Sequence, residues 1–185
     1  MEKKNTLYVN LYGAPGSGKS TTAAKVFGCL KDAGISVELV REYAKELVWE
    51  GINPSEYGQY RVACEQVHRE LSLDGKVDVV VTDSPWSLSG YYGSKYGGKL
   101  WNPILYLGYE HLFDGRWEVN FFLQRTKPFK KDGRLCDEKG SDKTSKELLE
   151  FLDGHRKAYQ KVTSHSYKRI TDHVCRMLKE GQKND

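Results

Sequence analysis

An α/β fold built on a parallel sheet of about five strands, a three-layer sandwich, is what this sequence predicts, on three observations. The apolar run Leu7 to Tyr12 leads into a glycine-rich turn and then an amphipathic pattern (Ala23, Val26, Phe27, Leu30) that stops at Gly34. Strand-like and helix-like segments alternate after it, the order that lays helices on both faces of a parallel sheet. Val77 to Thr82 is a nearly unbroken β-branched run, the mark of a central strand buried on both sides.

The glycine-rich turn is Gly13-Ala14-Pro15-Gly16-Ser17-Gly18-Lys19-Ser20, followed by Thr21. It is a complete P-loop, G-x-x-x-x-G-K-S, between a strand and a helix, and it predicts binding of a nucleoside triphosphate, ATP, along Gly13 to Thr21. Glycines let backbone N–H groups close on phosphate oxygens, Lys19 brings charge to the β- and γ-phosphates, and the Ser20 hydroxyl is a ligand for Mg²⁺. With average residue usage the four fixed positions match by accident in about 1% of chains this long. The bland alternative is a glycine-rich turn with no ligand.

The remaining elements follow in order. Ser36 to Val40 reads as the second strand, expected beside the P-loop strand, and it delivers Arg41 and Glu42 to the carboxyl edge of the sheet, where ligands sit in such folds. A short helix through Tyr43, Leu47 and Val48 comes next. Asn53-Pro54-Ser55-Glu56 starts a helix expected to reach about Ser72 and to bury Tyr57, Tyr60, Cys64, Val67 and Leu71. The β-branched strand ends at Asp83, an acid placed to reach Mg²⁺ or its water; a helix cap is the other reading, because Pro85 follows.

From Ser84 to Arg116 eight aromatics (Trp86, Tyr91, Tyr92, Tyr96, Trp101, Tyr106, Tyr109, Phe113) lie among glycines, including Gly93, Gly97 and Gly98. Rings stacking on a nucleobase and ordinary core packing both fit that composition. Glu118 to Leu123 is the fourth strand. It runs into a stretch with five cations in ten residues (Arg125, Lys127, Lys130, Lys131, Arg134), read as a phosphate-covering lid over about 125–143, with a solvated basic loop as the rival reading. Thr144-Ser145-Lys146-Glu147 looks like a capping box opening a helix through Leu148, Leu149 and Leu152; Tyr167 to Ile170 is expected to be a weak fifth strand, and Asp172 to Lys179 a last helix.

At 185 residues the chain fits a single domain, 1–185, that buries about 70% of its unfolded surface. Four cysteines without a C-x-x-C and five histidines without ligand spacing suggest neither a disulfide framework nor a transition-metal site, and they suit a reducing cytoplasm. The apolar run after Lys3 and Lys4 is too short for a signal peptide or membrane span. A net charge of +4 permits an anionic partner without demanding one.

Neither N-K-x-D nor D-x-x-G of GTPases is present, and the chain is short for a hexameric motor. A phosphotransferase remains, needing donor and acceptor held in line, cations for the transferred charge (Lys19, Mg²⁺, Arg125, Arg134) and a carboxylate for the acceptor's proton, Glu42 or Asp83. Glu42 has a rival reading as a partner of Arg41 or a lid arginine that only shapes the site.

Gly13 to Thr22, Val37 to Gly51 (with its R-E-Y), Lys76 to Pro85 and Phe121 to Arg134 together resemble the small P-loop ATP-binding proteins of tailed bacteriophages. That group is similar to ribosylnicotinamide kinase domains and includes kinases of 5-hydroxymethyluracil in phage DNA. The resemblance implies a P-loop NTPase fold of nucleoside-kinase type and a host-cytoplasmic kinase acting with ATP and Mg²⁺ on a nucleoside-like hydroxyl. It marks Lys19 and Ser20 for phosphate and metal, Asp83 for the Walker B role, and Arg125 and Arg134 for the lid. The chain departs from the group at Leu135-Cys136-Asp137, where N-Q-T is usual, and over Trp101 to Phe113. The leading expectation is phosphorylation of the DNA base. The alternatives are a kinase of a free nucleoside, nucleotide or ribosylnicotinamide, an ATPase switch acting through a partner, and a nucleic-acid-binding protein whose P-loop is incidental.

Overall fold

The computed structural model describes residues 5–96, 111–130 and 136–181. Five strands, β1 (Leu7–Tyr12), β2 (Val37–Val40), β3 (Val79–Thr82), β4 (Glu118–Gln124) and β5 (Gln160–Thr163), form one all-parallel sheet in the order β2-β3-β1-β4-β5. Among the described residues the helices are α1 (Lys19–Asp32), α2 (Tyr43–Trp49), α3 (Pro54–Tyr57), α4 (Gln59–Leu71), α5 (Leu88–Tyr96), α6 (Glu138–Gly154) and α7 (Tyr167–Gly181).

β1 is central and every residue of it is buried, so its alternating side chains supply two cores. Leu7, Val9 and Leu11 pack with Val26 and Leu30 of α1 and Ile170 and Val174 of α7. Tyr8 and Tyr12 point the other way. Tyr8 joins Val67, Val80, Trp86 and Phe113, while Tyr12 joins Leu88, Tyr91, Phe122, Leu148 and Leu152. Helices on both faces of the sheet make the expected three-layer α/β sandwich.

Between the two tyrosines the second face is polar. Asn10 Nδ2 donates to Asn120 Oδ1 (2.9 Å) and Glu118 Oε2 (3.1 Å), and Lys157 Nζ donates to Glu118 Oε1 (2.9 Å). Glu70 is fully buried nearby and takes a long hydrogen bond from Gln66 Nε2 (3.4 Å). Burial pushes its carboxyl up to about 8, so it is largely protonated at neutral pH.

Several local expectations are corrected. β2 does not neighbour β1, because β3 lies between them. The helix opened by Asn53, whose side chain accepts from Ser55 N (3.1 Å), is interrupted at Gly58, where φ is +108°. The helix after the break buries Gln59, Ala63, Gln66, Val67 and Glu70 instead of the expected stripe; Cys64 is exposed, and Tyr60 and Leu71 are half-buried. The polar members of that face meet inward partners: Gln66 Oε1 accepts the Tyr43 N–H (3.1 Å), and Gln66 Nε2 binds Glu70.

Thr144 to Glu147 is helix interior, because Asp137 caps α6 two turns earlier by accepting the Gly140 N–H (2.8 Å). The fifth strand is Gln160–Thr163. Tyr167 to Ile170 belongs to α7, where Tyr167, Ile170, Val174 and Leu178 share one apolar face.

Candidate active site

β1 ends at Tyr12 and the chain turns through Gly13 to Gly18 into α1. Two of the glycines are required where they stand. Gly13 has φ +146°, and a Cβ on it would lie 2.7 Å from both Leu123 O and Ser17 Oγ; Gly18 has φ +93°, and its Cβ would meet Ser164 Cβ at 2.8 Å. Lys19 Nζ donates to Gly13 O (2.6 Å) and Ala14 O (3.3 Å), so the ammonium lies across the loop it serves. Ser17 Oγ is buried with no hydrogen-bond partner among the described residues. Ser20 and Thr21 are exposed in the first turn of α1.

Two further segments close on the loop. Ser141 of α6 donates from Oγ to Pro15 O (2.7 Å), and Ser164, just after β5, packs on Gly18. Sequence reasoning missed both serines, because a small polar residue in a helix or turn carries no signal of its distant partner.

Val40 and Thr82 are register partners in β2 and β3, so the chain just beyond each strand comes out side by side. There the backbone N–H of Glu42 donates to Asp83 Oδ1 (3.0 Å), and Asp83 is only 3% exposed. Asp83 caps no helix, because α5 begins at Leu88. Burial holds the Glu42 carboxyl above the usual carboxylate range; Lys19 and Lys45 pull it down and Asp83 pushes it further up. The same electrostatic neighbourhood places Lys19, Glu42 and Asp83 around one spot. Glu42 thus reaches the P-loop side across β3, and Asp83 makes the junction.

Of the aromatic segment, Trp86 and Phe113 are core, stacked with centroids 4.6 Å apart. Tyr92 belongs to the site. Its hydroxyl is held well above its ordinary value by burial, then by Glu42 and by its neighbours Tyr91, Tyr96 and Cys136. Tyr92 and Tyr96, one turn apart on α5, are nearly coplanar (14°) with centroids 6.2 Å apart. Tyr91 and Lys95 of α5 both bind Glu147 of α6, which joins the aromatic helix to the helix that touches the P-loop. Trp101, Tyr106, Tyr109, Gly97 and Gly98 lie outside the described residues.

Arg125, directly after β4, contacts two carboxylates in the first turns of α6, Glu138 (2.9 Å) and Asp142. Lys131 and Arg134 lie outside the described residues, while residues 138–143 of the expected lid are helix.

The donor set fits Mg²⁺ carried by a nucleotide: the Ser20 hydroxyl and the Asp83 carboxylate are hard oxygen ligands, with phosphates and water left to fill an octahedron. Such a site needs no cage of side chains, and among the described residues no group of three or more His, Cys, Asp or Glu is placed to hold a metal. No described helix is long and apolar enough to cross a membrane.

No protein-family model matches the chain, and no curated protein matches its sequence. Solved structures do share its fold. A NadR protein in complex with NR is 14% identical with a TM-score of 0.67; the match covers 92% of this chain and 52% of that one, so this chain spans about half the length of that protein. A deoxyadenosine kinase from M. mycoides with bound dATP is 15% identical with a TM-score of 0.56, over 93% of this chain and 98% of the other.

Proposed function

We propose that the protein is an ATP-dependent kinase that transfers the γ-phosphoryl group to a hydroxyl of a nucleoside-like acceptor, and that the acceptor is a 5-hydroxymethyluracil base in phage DNA. One observation carries the kinase reading: Glu42, Asp83 and Lys19 converge at the mouth of the P-loop, with the Glu42 N–H on Asp83 (3.0 Å) and the Lys19 charge acting on Glu42. In this reading the bond from the γ-phosphorus to the acceptor oxygen forms as the bond to the β-phosphate bridging oxygen breaks, and the acceptor proton passes to Glu42.

Ser20 and Asp83 would hold Mg²⁺, whose chemistry is to neutralise charge on the phosphates. Lys19 leaves the carbonyls of Gly13 and Ala14 for the phosphates. Arg125 and Arg134 belong to a lid, about 125–143, of a single kinase domain spanning 1–185. The nucleoside-like acceptor is supported by the Tyr92 and Tyr96 rings beside Glu42, which offer flat surfaces to a base. The DNA base is supported by the resemblance to phage P-loop kinases and by the net charge of +4.

The test is transfer from γ-labelled ATP to separate panels of nucleosides, mononucleotides, ribosylnicotinamide and hydroxymethyluracil-containing DNA. Label in the DNA base is expected. Label confined to a free nucleoside, nucleotide or ribosylnicotinamide would replace the acceptor and keep the kinase. ATP hydrolysis that no acceptor stimulates would overturn both.

A further inference from the structure

Trp49 is 69% exposed, the most exposed of the large apolar side chains among the described residues, and it lies on the helix that Glu42 caps. One side of that helix is anchored: Arg69 of α4 grips both Glu46 oxygens (2.9 and 2.8 Å) and lies over the Tyr43 ring (4.8 Å), while Leu47 is buried. The other side carries Glu42, Lys45 and Trp49, spaced i, i+3, i+7, which is a single stripe. Lys45 is close enough to Glu42 to lower its proton affinity, and exposed Arg41 stands at the head of the stripe. With Glu46 taken up by Arg69, the local charge is Arg41 and Lys45 against Glu50 at the far end.

Resting on the kinase reading above, we propose that this stripe is a docking track for single-stranded DNA flanking the acceptor nucleotide, with Lys45 and Arg41 on phosphates and the Trp49 ring stacked on a base. The dimensions suit a polymer. At about 1.5 Å per residue Trp49 lies about 10 Å along the helix from Glu42, beyond the reach of a nucleoside seated at Glu42 and about three nucleotides of rise at roughly 3.4 Å each. A large flat ring beside cations, held out from an anchored helix, is the form that base stacking with phosphate neutralisation takes on sequence-tolerant single-strand surfaces.

The experiment is fluorescence anisotropy of a labelled dodecathymidylate on the full chain at low salt, with wild type, Trp49→Ala, Trp49→Phe and Lys45→Ala, and unfolding midpoints measured in parallel. Wild type is expected to bind, and to bind more weakly as salt rises. Trp49→Ala is expected to lose about tenfold or more at an unchanged unfolding midpoint, Trp49→Phe to recover most of that, and Lys45→Ala to flatten the salt dependence. No binding by wild type, or equal binding by Trp49→Ala, overturns the track, as does Trp49-dependent self-association in place of DNA binding. Label transfer to the free acceptors, measured on the same preparations, reports the kinase reading separately, so either idea can fail while the other stands.

Discussion

The backbone N–H of Glu42 donates to the Asp83 carboxylate, 3.0 Å away, and so ties together the ends of two strands and the two acids of the site. An acid that accepts a backbone hydrogen bond is held in place when the charge around it changes. Asp83 therefore serves as a fixed anchor, and Glu42, with its raised proton affinity, is the acid suited to exchange a proton.

Lys19→Ala is expected to lower phosphotransfer by about 10²-fold or more, because the charge on the γ-phosphate loses its partner. Lys19 bonds only to carbonyls of its own loop among the hydrogen bonds described above, so the unfolding midpoint should stay close to wild type. Turnover and thermal unfolding measured together check this, and wild-type turnover would remove the P-loop from the mechanism.

Asp83→Asn keeps an oxygen for the Glu42 N–H but loses the negative charge. The half-saturating Mg²⁺ concentration should rise several-fold, with nucleotide affinity changed less. A Mg²⁺ titration of the rate is the measurement; identical titrations for the two proteins would count against Asp83 as the metal-side acid.

Glu42→Gln is expected to depress the maximal rate by roughly 10²-fold while sparing ATP binding. Because burial raises the Glu42 proton affinity, the wild-type rate should fall as pH drops through a value above the ordinary carboxylate range, and this limb should vanish in the variant. A near-normal maximal rate with only a raised acceptor KM would make Glu42 a binding residue.

Arg125→Ala and Arg134→Ala should slow single-turnover chemistry more than they weaken ATP binding, as cations that meet the transferred group after closure must. For Arg125 a lysine should rescue poorly, because it cannot reproduce the planar fork that contacts Glu138 and Asp142 together. Loss confined to ATP affinity would make both arginines docking residues.

Glu70 gives a stability prediction. Its carboxyl is pushed up to about 8 in the fold, so the folded state holds a proton that the unfolded chain releases near its ordinary value of 4.5. The stabilisation is complete below the unfolded value and is lost as pH rises through the folded one, at up to about 1.4 kcal/mol per pH unit. Denaturant midpoints should fall between pH 5 and pH 8, and Glu70→Gln should flatten that slope.

What the sequence made legible follows from how far each signal reaches. The P-loop, β1, β3 and the placement of Asp83 and Glu42 at strand ends are local: the residues that make the element also make the motif. β2 was misplaced because strand order is set by packing between layers, and alternation within one strand does not report it. The break at Gly58 reversed the expected face of α4, since one positive-φ residue re-phases everything after it. Asp137 outcompeted Thr144 as a cap, and Tyr167 to Ile170 went to helix because its apolar residues continue the stripe of α7. The polar cluster of Asn10, Asn120, Glu118 and Lys157 was invisible, as each member reads singly as a surface residue.

The nucleotide cradle is coded near the start of the chain but completed by residues far downstream. Gly13 fits against Leu123, Pro15 takes a hydrogen bond from Ser141, and Gly18 fits against Ser164. Each closure spans more than a hundred residues, which makes it entropically late in folding. A nascent chain that has just emerged with its P-loop thus carries the motif without its walls, and its capacity to bind ATP arrives only when the last strand of the sheet has docked.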